Sequence, residues 1–202
     1  MNNFKKDILL TVIIGEIASW LIVFISQNLF FAPYLKYLPI IFPLACVLGL
    51  IVAYFLGKIA PVVYQLAKFV LVGGLNFLID ISVLSFFVFT TGVVSGLMQS
   101  GFKGISFLVA VINSYFWNKH WTFKKTNNKK SSKEFLQFFV VSIIGLTINI
   151  IVDYFFVNNI PPFKGVDPTT WTQLGAVISA ATALTWNFIG YKFIVFDSKD
   201  GS

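Results

Sequence analysis

Six apolar runs of about twenty residues follow one another along this chain, and they leave few folds open to it. A helix rising ~1.5 Å per residue crosses ~30 Å of hydrocarbon in roughly 20 residues. Within lipid, a helix satisfies its own backbone polar groups, which an open chain cannot. The runs lie at 8–30, 37–56, 69–89, 102–121, 135–157 and 171–193. Turn chemistry separates them: Ala32-Pro33, Gly57 to Pro61, Thr91-Gly92, and Asn158 to Pro162. Charged residues make up 11% of the 202 positions, against about 25% in soluble domains, so there are too few to coat a water-facing surface. The expected fold is all-α: a polytopic integral membrane protein with about six transmembrane helices. Lys5 and Lys6 ahead of the first run imitate a signal peptide. The run is too long for one and no A-x-A-like site follows, so a retained helix is expected.

All fifteen cations are lysines, and their placement sets the expected orientation. Lys5, Lys6, Lys58, Lys68, Lys119, Lys124, Lys125, Lys129, Lys130, Lys133, Lys192 and Lys199 fall on one side; Lys36, Lys103 and Lys164 fall on the other. Both termini and the solvated loop around Asn127–Ser132 are therefore expected in the cytoplasm. The net charge of +7 flanks apolar segments, which suits an anionic membrane surface and not nucleic acid. Cys46 is the single cysteine, so no internal disulfide forms.

The chain also repeats itself. Residues 69–125 resemble 142–198 at a constant offset of 73: Asn76 and Asp80 fall on Asn149 and Asp153, Lys119 and Phe123 on Lys192 and Phe196, Ser106 and Ala110 on Ser179 and Ala183. Each copy holds two spans, so both enter the membrane from the same side as parallel repeats. The expected organisation is a hairpin at 1–65 ahead of a four-helix core at 66–198.

Asp80 and Asp153 are the foremost candidates for chemistry. A carboxylate in hydrocarbon costs several kcal/mol and faces a bundle interior or a wet cavity. Asn76 with Asp80, and Asn149 with Asp153, stand i, i+4 on one helix face. Gly73 and Gly145 extend those faces and permit close approach. The structural alternative is a polar clamp between the repeats. Ser106, Ala110, Ser114 and Asn118 form a small, polar stripe that reads as helix packing; Asn113, Asn118 and Asn187 want partners that a sugar can supply. Lys119 and Lys192 end their spans beside Trp117, Trp121 and Tyr191, either as snorkelling cations or as an anion site made once by each copy. Glu16 has no counterpart in the repeat. His120 has no His or Cys cluster around it, so no metal is expected, and no phosphate-binding G-x-x-x-x-G-K-[ST] run occurs.

At these residues the chain resembles the GtrA-like family, small membrane proteins linked to bacterial surface polysaccharide and teichoic acid glycosylation. The family's F-x-x-V-G-x-x-N opening reads Phe69-Val-Leu-Val-Gly73-Gly-Leu-Asn76. Its closing N-x-x-x-N-[RK]-x-W-x-F pattern reads Asn113-Ser-Tyr-Phe-Trp117-Asn118-Lys119-His-Trp121-Thr-Phe123, with the first Asn one position early. The second copy reads Asn187 to Phe196, with Tyr191 in place of the second Asn and Ile194 in place of the Trp. The resemblance covers 66–197 and leaves the first two spans unexplained.

It implies a translocase, not an enzyme, that needs no cofactor and moves a polyprenyl-phosphate-linked monosaccharide from the cytoplasmic to the outer leaflet of the bacterial plasma membrane. Lys119 and Lys192 would take the phosphate. Asn76, Asp80, Asn113, Asn118, Asn149, Asp153, Asn187 and Tyr191 would line the polar path, and Trp117, Trp121 or Trp186 would stack on the sugar ring. Two rival readings are a proton-coupled exporter of small cations and a non-transporting membrane subunit of a glycosyltransferase. Four core helices make a thin wall around a glycolipid head, which would suit a homo-oligomer.

Overall fold

The computed structural model describes residues 3–26, 32–124, 131–163, 165 and 168–196. Six α-helices account for most of them: α1 Asn3–Ser26, α2 Leu38–Leu56, α3 Pro61–Thr91, α4 Gly96–Trp117, α5 Ser131–Asn159 and α6 Pro168–Gly190. A 3₁₀ turn, Ala32–Tyr37, leads into α2, and no strand occurs among the described residues. Most of the expected inner loop (125–130), the end of the first run, and Lys164 and Lys199 lie outside the described residues.

Among the described residues, five helical stretches are long and apolar enough to cross a membrane: Phe4–Ser26, Pro33–Leu56, Pro61–Thr91, Ser132–Asn159 and Leu174–Val195. The protein is an all-α, polytopic membrane protein. α4 is long enough, at 22 residues, but carries Gln99, Lys103 and Asn113 in its sequence. Two of those three side chains find partners on α3: Lys103 pairs with Asp80, and Asn113 bonds Asn76.

The chain divides into two compact units, Met1–Lys124 and Lys125–Ser202. In the first, α1 and α2 pair as a hairpin and both pack on α3, which also pairs with α4. Ile14 and Ala18 of α1 meet Val72 and Leu75 of α3 and Trp121 beyond α4 in one buried cluster. Gly15 lets α1 close on α2, since a Cβ there would stand 2.6 Å from the Cα of Pro43. Pro61 opens α3 and Gly92, at φ +70°, closes it with its N–H on the Val88 carbonyl at 2.8 Å. The hairpin thus shares a core with the first copy of the repeat.

α3 begins eight residues before the expected start at Phe69, and the cause is Lys68. A lysine there reads as the end of a span, yet its side chain is only 3% exposed and is ion-paired with Asp7 of α1. The neutralised pair lets the helix run on to 31 residues, ~46 Å at the usual rise.

The second unit is the α5–α6 pair. Phe138 is fully buried and stacks on Tyr191 (centroids 4.1 Å apart), while Trp171 stacks on Phe156 at 4.5 Å. Gly190 admits Val141, whose Cγ1 would lie 2.6 Å from a Cβ at that position.

Both units end their last helix in the same irregular way. α4 continues into a π turn at Asn118–Thr122 and α6 into another at Tyr191–Val195. Each is closed by a phenylalanine N–H bonding five residues back: Phe123 to Asn118 and Phe196 to Tyr191, both at 2.8 Å. The two turns stand 73 residues apart, the offset of the sequence repeat. Single π turns inside α-helices recur at functional sites.

Candidate functional site

On α3, Asn76 and Asp80 share one face because they are four residues apart. The facing stripe of α4, Lys103, Ser106 and Asn113, recurs at steps of three and seven, which keeps it on one side of that helix. Ser106 donates to Asp80 Oδ1 at 2.6 Å, and the Lys103 ammonium pairs with Asp80 Oδ2. Asn113 Nδ2 donates to Asn76 Oδ1 at 2.7 Å. Asn76 is 8% exposed, and its own Nδ2 is buried with no partner among the described residues. Lys103 was expected at the outer end of its span, as a marker of orientation. It is a helical residue, half-exposed, that neutralises the intramembrane acid.

The second unit repeats half of this frame. Asn149 Nδ2 reaches Ser179 Oγ at 3.4 Å, with Ser179 standing where Ser106 stands in the first copy. The residue at the Lys103 position is Ala176, so Asp153 has no cation. It is half-buried, has no hydrogen-bond or ion partner among the described residues, and lies against Gly175, where an added Cβ would sit 3.3 Å from Asp153 Oδ1. Asn187 presses on Gly145, whose missing side chain makes the room: a Cβ there would fall 2.2 Å from Asn187 Oδ1. That oxygen is buried and unpaired among the described residues. Trp186 Nε1 donates to the Val141 carbonyl at 3.2 Å, which ties α6 to α5.

The expected lysine site divides unequally. Lys119 is 3% exposed and donates to the Tyr115 hydroxyl at 3.1 Å, its ammonium 5.3 Å from the ring centre. Lys192 is half-buried between the rings of Phe188 and Phe193, 5.6 and 5.5 Å from their centres. Asn118 Nδ2 bonds back to Ser114, to the carbonyl at 2.9 Å and Oγ at 3.2 Å, while its Oδ1 is buried without a partner among the described residues. Tyr191 is 4% exposed and its hydroxyl shares a hydrogen bond of 2.7 Å with Ser142 Oγ.

Trp117 and Trp121 meet edge to face at 5.8 Å, and Trp121 is 2% exposed. Its indole N–H donates to Asp7 Oδ1 at 3.0 Å, and Tyr64 Oη donates to Asp7 Oδ2 at 2.9 Å. The same Oδ2 pairs with Lys68, and Lys124 stands 3.9 Å away. Asp7 is thus the hub of the first unit's lysine-rich end, and sequence reasoning missed it. Lys5 and Lys6 beside it look like topology markers and hide a third charge with a different job. The signal was a polar stripe, Asp7 and Thr11, running into Ile14 and Ala18 on one face of α1.

Residues 68–196 match the family described as GtrA/DPMS, transmembrane domain. This chain is a member of the GtrA/DPMS family. The uncharacterized membrane protein YngA of Bacillus subtilis (strain 168) is 36% identical over 131 residues, 65% of this chain and 78% of that protein. No solved structure matches. The GtrA/DPMS segment runs from Lys68 to Phe196. It therefore holds both polar frames and both π turns, and it leaves Asp7 and Tyr64 outside. Membership places the chain among membrane proteins of a glycosylation-related translocase family.

Proposed function

We propose that the protein is a translocase for a polyprenyl-phosphate-linked monosaccharide, carrying it from the cytoplasmic to the outer leaflet for modification of cell-surface glycans. The observation that carries this reading is a polar frame within the family segment, whole in the first unit and half-repeated in the second: Asn76 and Asp80 against Ser106 and Asn113, and Asn149 on Ser179. A sugar hydroxyl both donates and accepts. Within the first unit, Asn76 keeps a spare donor and Asn118 a spare acceptor, each buried where an unused polar group costs roughly 1–3 kcal/mol. The prenyl chain stays in lipid, so only the head needs a polar path. Such a carrier has no reacting atoms of its own. It works between one membrane glycosyltransferase that makes the lipid-linked sugar and another that consumes it.

Reconstitution in liposomes with a labelled polyprenyl-phosphate sugar, scored from each leaflet, tests the reading. Asp80→Ala and Asp153→Ala should each abolish transfer while leaving membrane insertion intact. Wild-type transfer by both would remove the acids from the path.

One observation favours a second reading. Asp153 lacks the cation that Asp80 has, and a carboxylate in hydrocarbon without a counter-charge is costly and marks a functional path. A proton-coupled exporter needs such a group. Proton flux driven by a cationic substrate in the same liposomes, lost in Asp153→Asn, would select it over lipid transfer.

A further inference from the structure

The first unit contains a groove of about 280 Å³ that the frame described above does not use. It lies where the start of α1 passes the end of α4, and Lys6, Leu10, Phe116, Trp117, His120 and Trp121 line it. Lys6 and Leu10 stand i, i+4 on α1. Phe116 and Trp117 end α4, while His120 and Trp121 belong to the first π turn. Phe116 and His120 stack nearly parallel, 8° apart with centres at 6.4 Å.

We propose that this groove binds the phosphate of a polyprenyl-phosphate lipid, with Lys6 and His120 as the phosphate ligands and the aromatic wall against the first prenyl units. Charge supports this occupant. Lys6 and His120 are exposed, and neither has a carboxylate partner among the described residues. The one acid nearby in sequence, Asp7, is fully engaged by Lys68, Tyr64 and Trp121. The groove therefore carries uncompensated donors over an apolar floor, complementary to an anion mounted on a hydrocarbon chain and poorly suited to a free anion, which has no use for the aromatic rings. Size agrees. Pockets that enclose a whole ligand begin near ~300 Å³, so this one holds a head and leaves the chain outside. Phe116, 55% exposed, marks where the chain would leave.

Asp7 is the positioning residue. It fixes Trp121 from behind through the indole N–H at 3.0 Å, and the π turn sets the reach of His120. Lys119, buried on Tyr115, takes no part. The hairpin, outside the family segment, thus supplies half of a headgroup site.

The assignment rests on the translocase reading for the identity of the lipid, and binding tests it apart from transfer. The full chain in nanodiscs of zwitterionic lipid would be titrated with radiolabelled farnesyl phosphate. Lys6→Gln and His120→Gln should each weaken binding about tenfold, the usual scale for loss of one charge-assisted contact. Lys5→Gln removes the same charge one residue away, outside the groove, and should bind as wild type. Farnesol and inorganic phosphate should not compete. Equal loss in Lys5→Gln and Lys6→Gln, undiminished binding by Lys6→Gln with His120→Gln, or competition by inorganic phosphate at the concentration of farnesyl phosphate would each overturn the site. If the reconstituted protein moves no lipid-linked sugar yet shows this binding pattern, the translocase reading fails and the groove stands. If transfer occurs and the double variant matches wild type in both assays, the groove falls and the translocase reading stands.

Discussion

Removing the carboxylate of Asp7 would leave the Lys68 ammonium buried without a counter-charge and would strip an acceptor from Tyr64 and Trp121. Breaking one partner of a buried pair costs about 3–5 kcal/mol, whereas exchanging both for apolar residues is often neutral. Asp7→Ala should therefore lower the unfolding free energy in SDS titrations by about 3–5 kcal/mol. Asp7→Leu combined with Lys68→Met should recover most of that loss. If the double variant is no better than the single, the cost lies in Tyr64 and Trp121, not in the stranded ammonium. The same logic explains which site residues could be read from the sequence. An acid in the middle of an apolar run, as at Asp80 and Asp153, announces itself by its cost. Its partners do not: Lys103 and Lys68 sit at run edges, where a lysine is ordinary, and only the folded chain shows that they face carboxylates.

At the scale of the element, close approach decides. Gly15 of α1 meets the backbone of Pro43 on α2, and backbone cannot swing away as a side-chain tip can. Gly15→Ala should destabilise the protein by about 1–3 kcal/mol, the range for forcing volume into a packed contact. Gly74→Ala, where a Cβ meets nothing within 4 Å, should be neutral or slightly stabilising by its helix preference. Thermal unfolding of the two variants side by side checks the pair. Helix existence was legible from the length of the apolar runs, and the asymmetry of α4 was not. Its polar residues lower its apolar character in isolation, yet Lys103, Ser106 and Asn113 all turn toward α3. The π turns were illegible for a different reason. A shift from four to five residues per hydrogen bond leaves the apolar periodicity almost unchanged, so the repeat aligns Asn118–Thr122 with Tyr191–Val195 but only the folded chain shows that both are π turns.

For the whole molecule, the proposed orientation rests on loop lysines alone. Lys68, Lys103, Lys119 and Lys124 are paired or buried and drop out as markers, leaving nine lysines on the expected inner side and two on the outer, by subtraction from twelve and three. In a Cys46→Ser background, Lys133→Cys should be shielded from a membrane-impermeant thiol reagent in intact cells, and Phe163→Cys should be labelled. The reverse pattern would invert the proposed direction of transport. The two-copy plan was readable because both copies keep one residue order without a gap, so a single offset exposes it. How the hairpin joins that plan was not readable, because its bond to the first copy runs through Asp7, 61 residues from Lys68. That bond has an ancestry written into it. A bare ammonium at position 68 would have been a handicap to any forebear lacking the hairpin, so the lysine and the extra helices should be gained and lost together across kindred sequences. Those that begin directly with the four-helix segment should carry an uncharged residue at the place of Lys68.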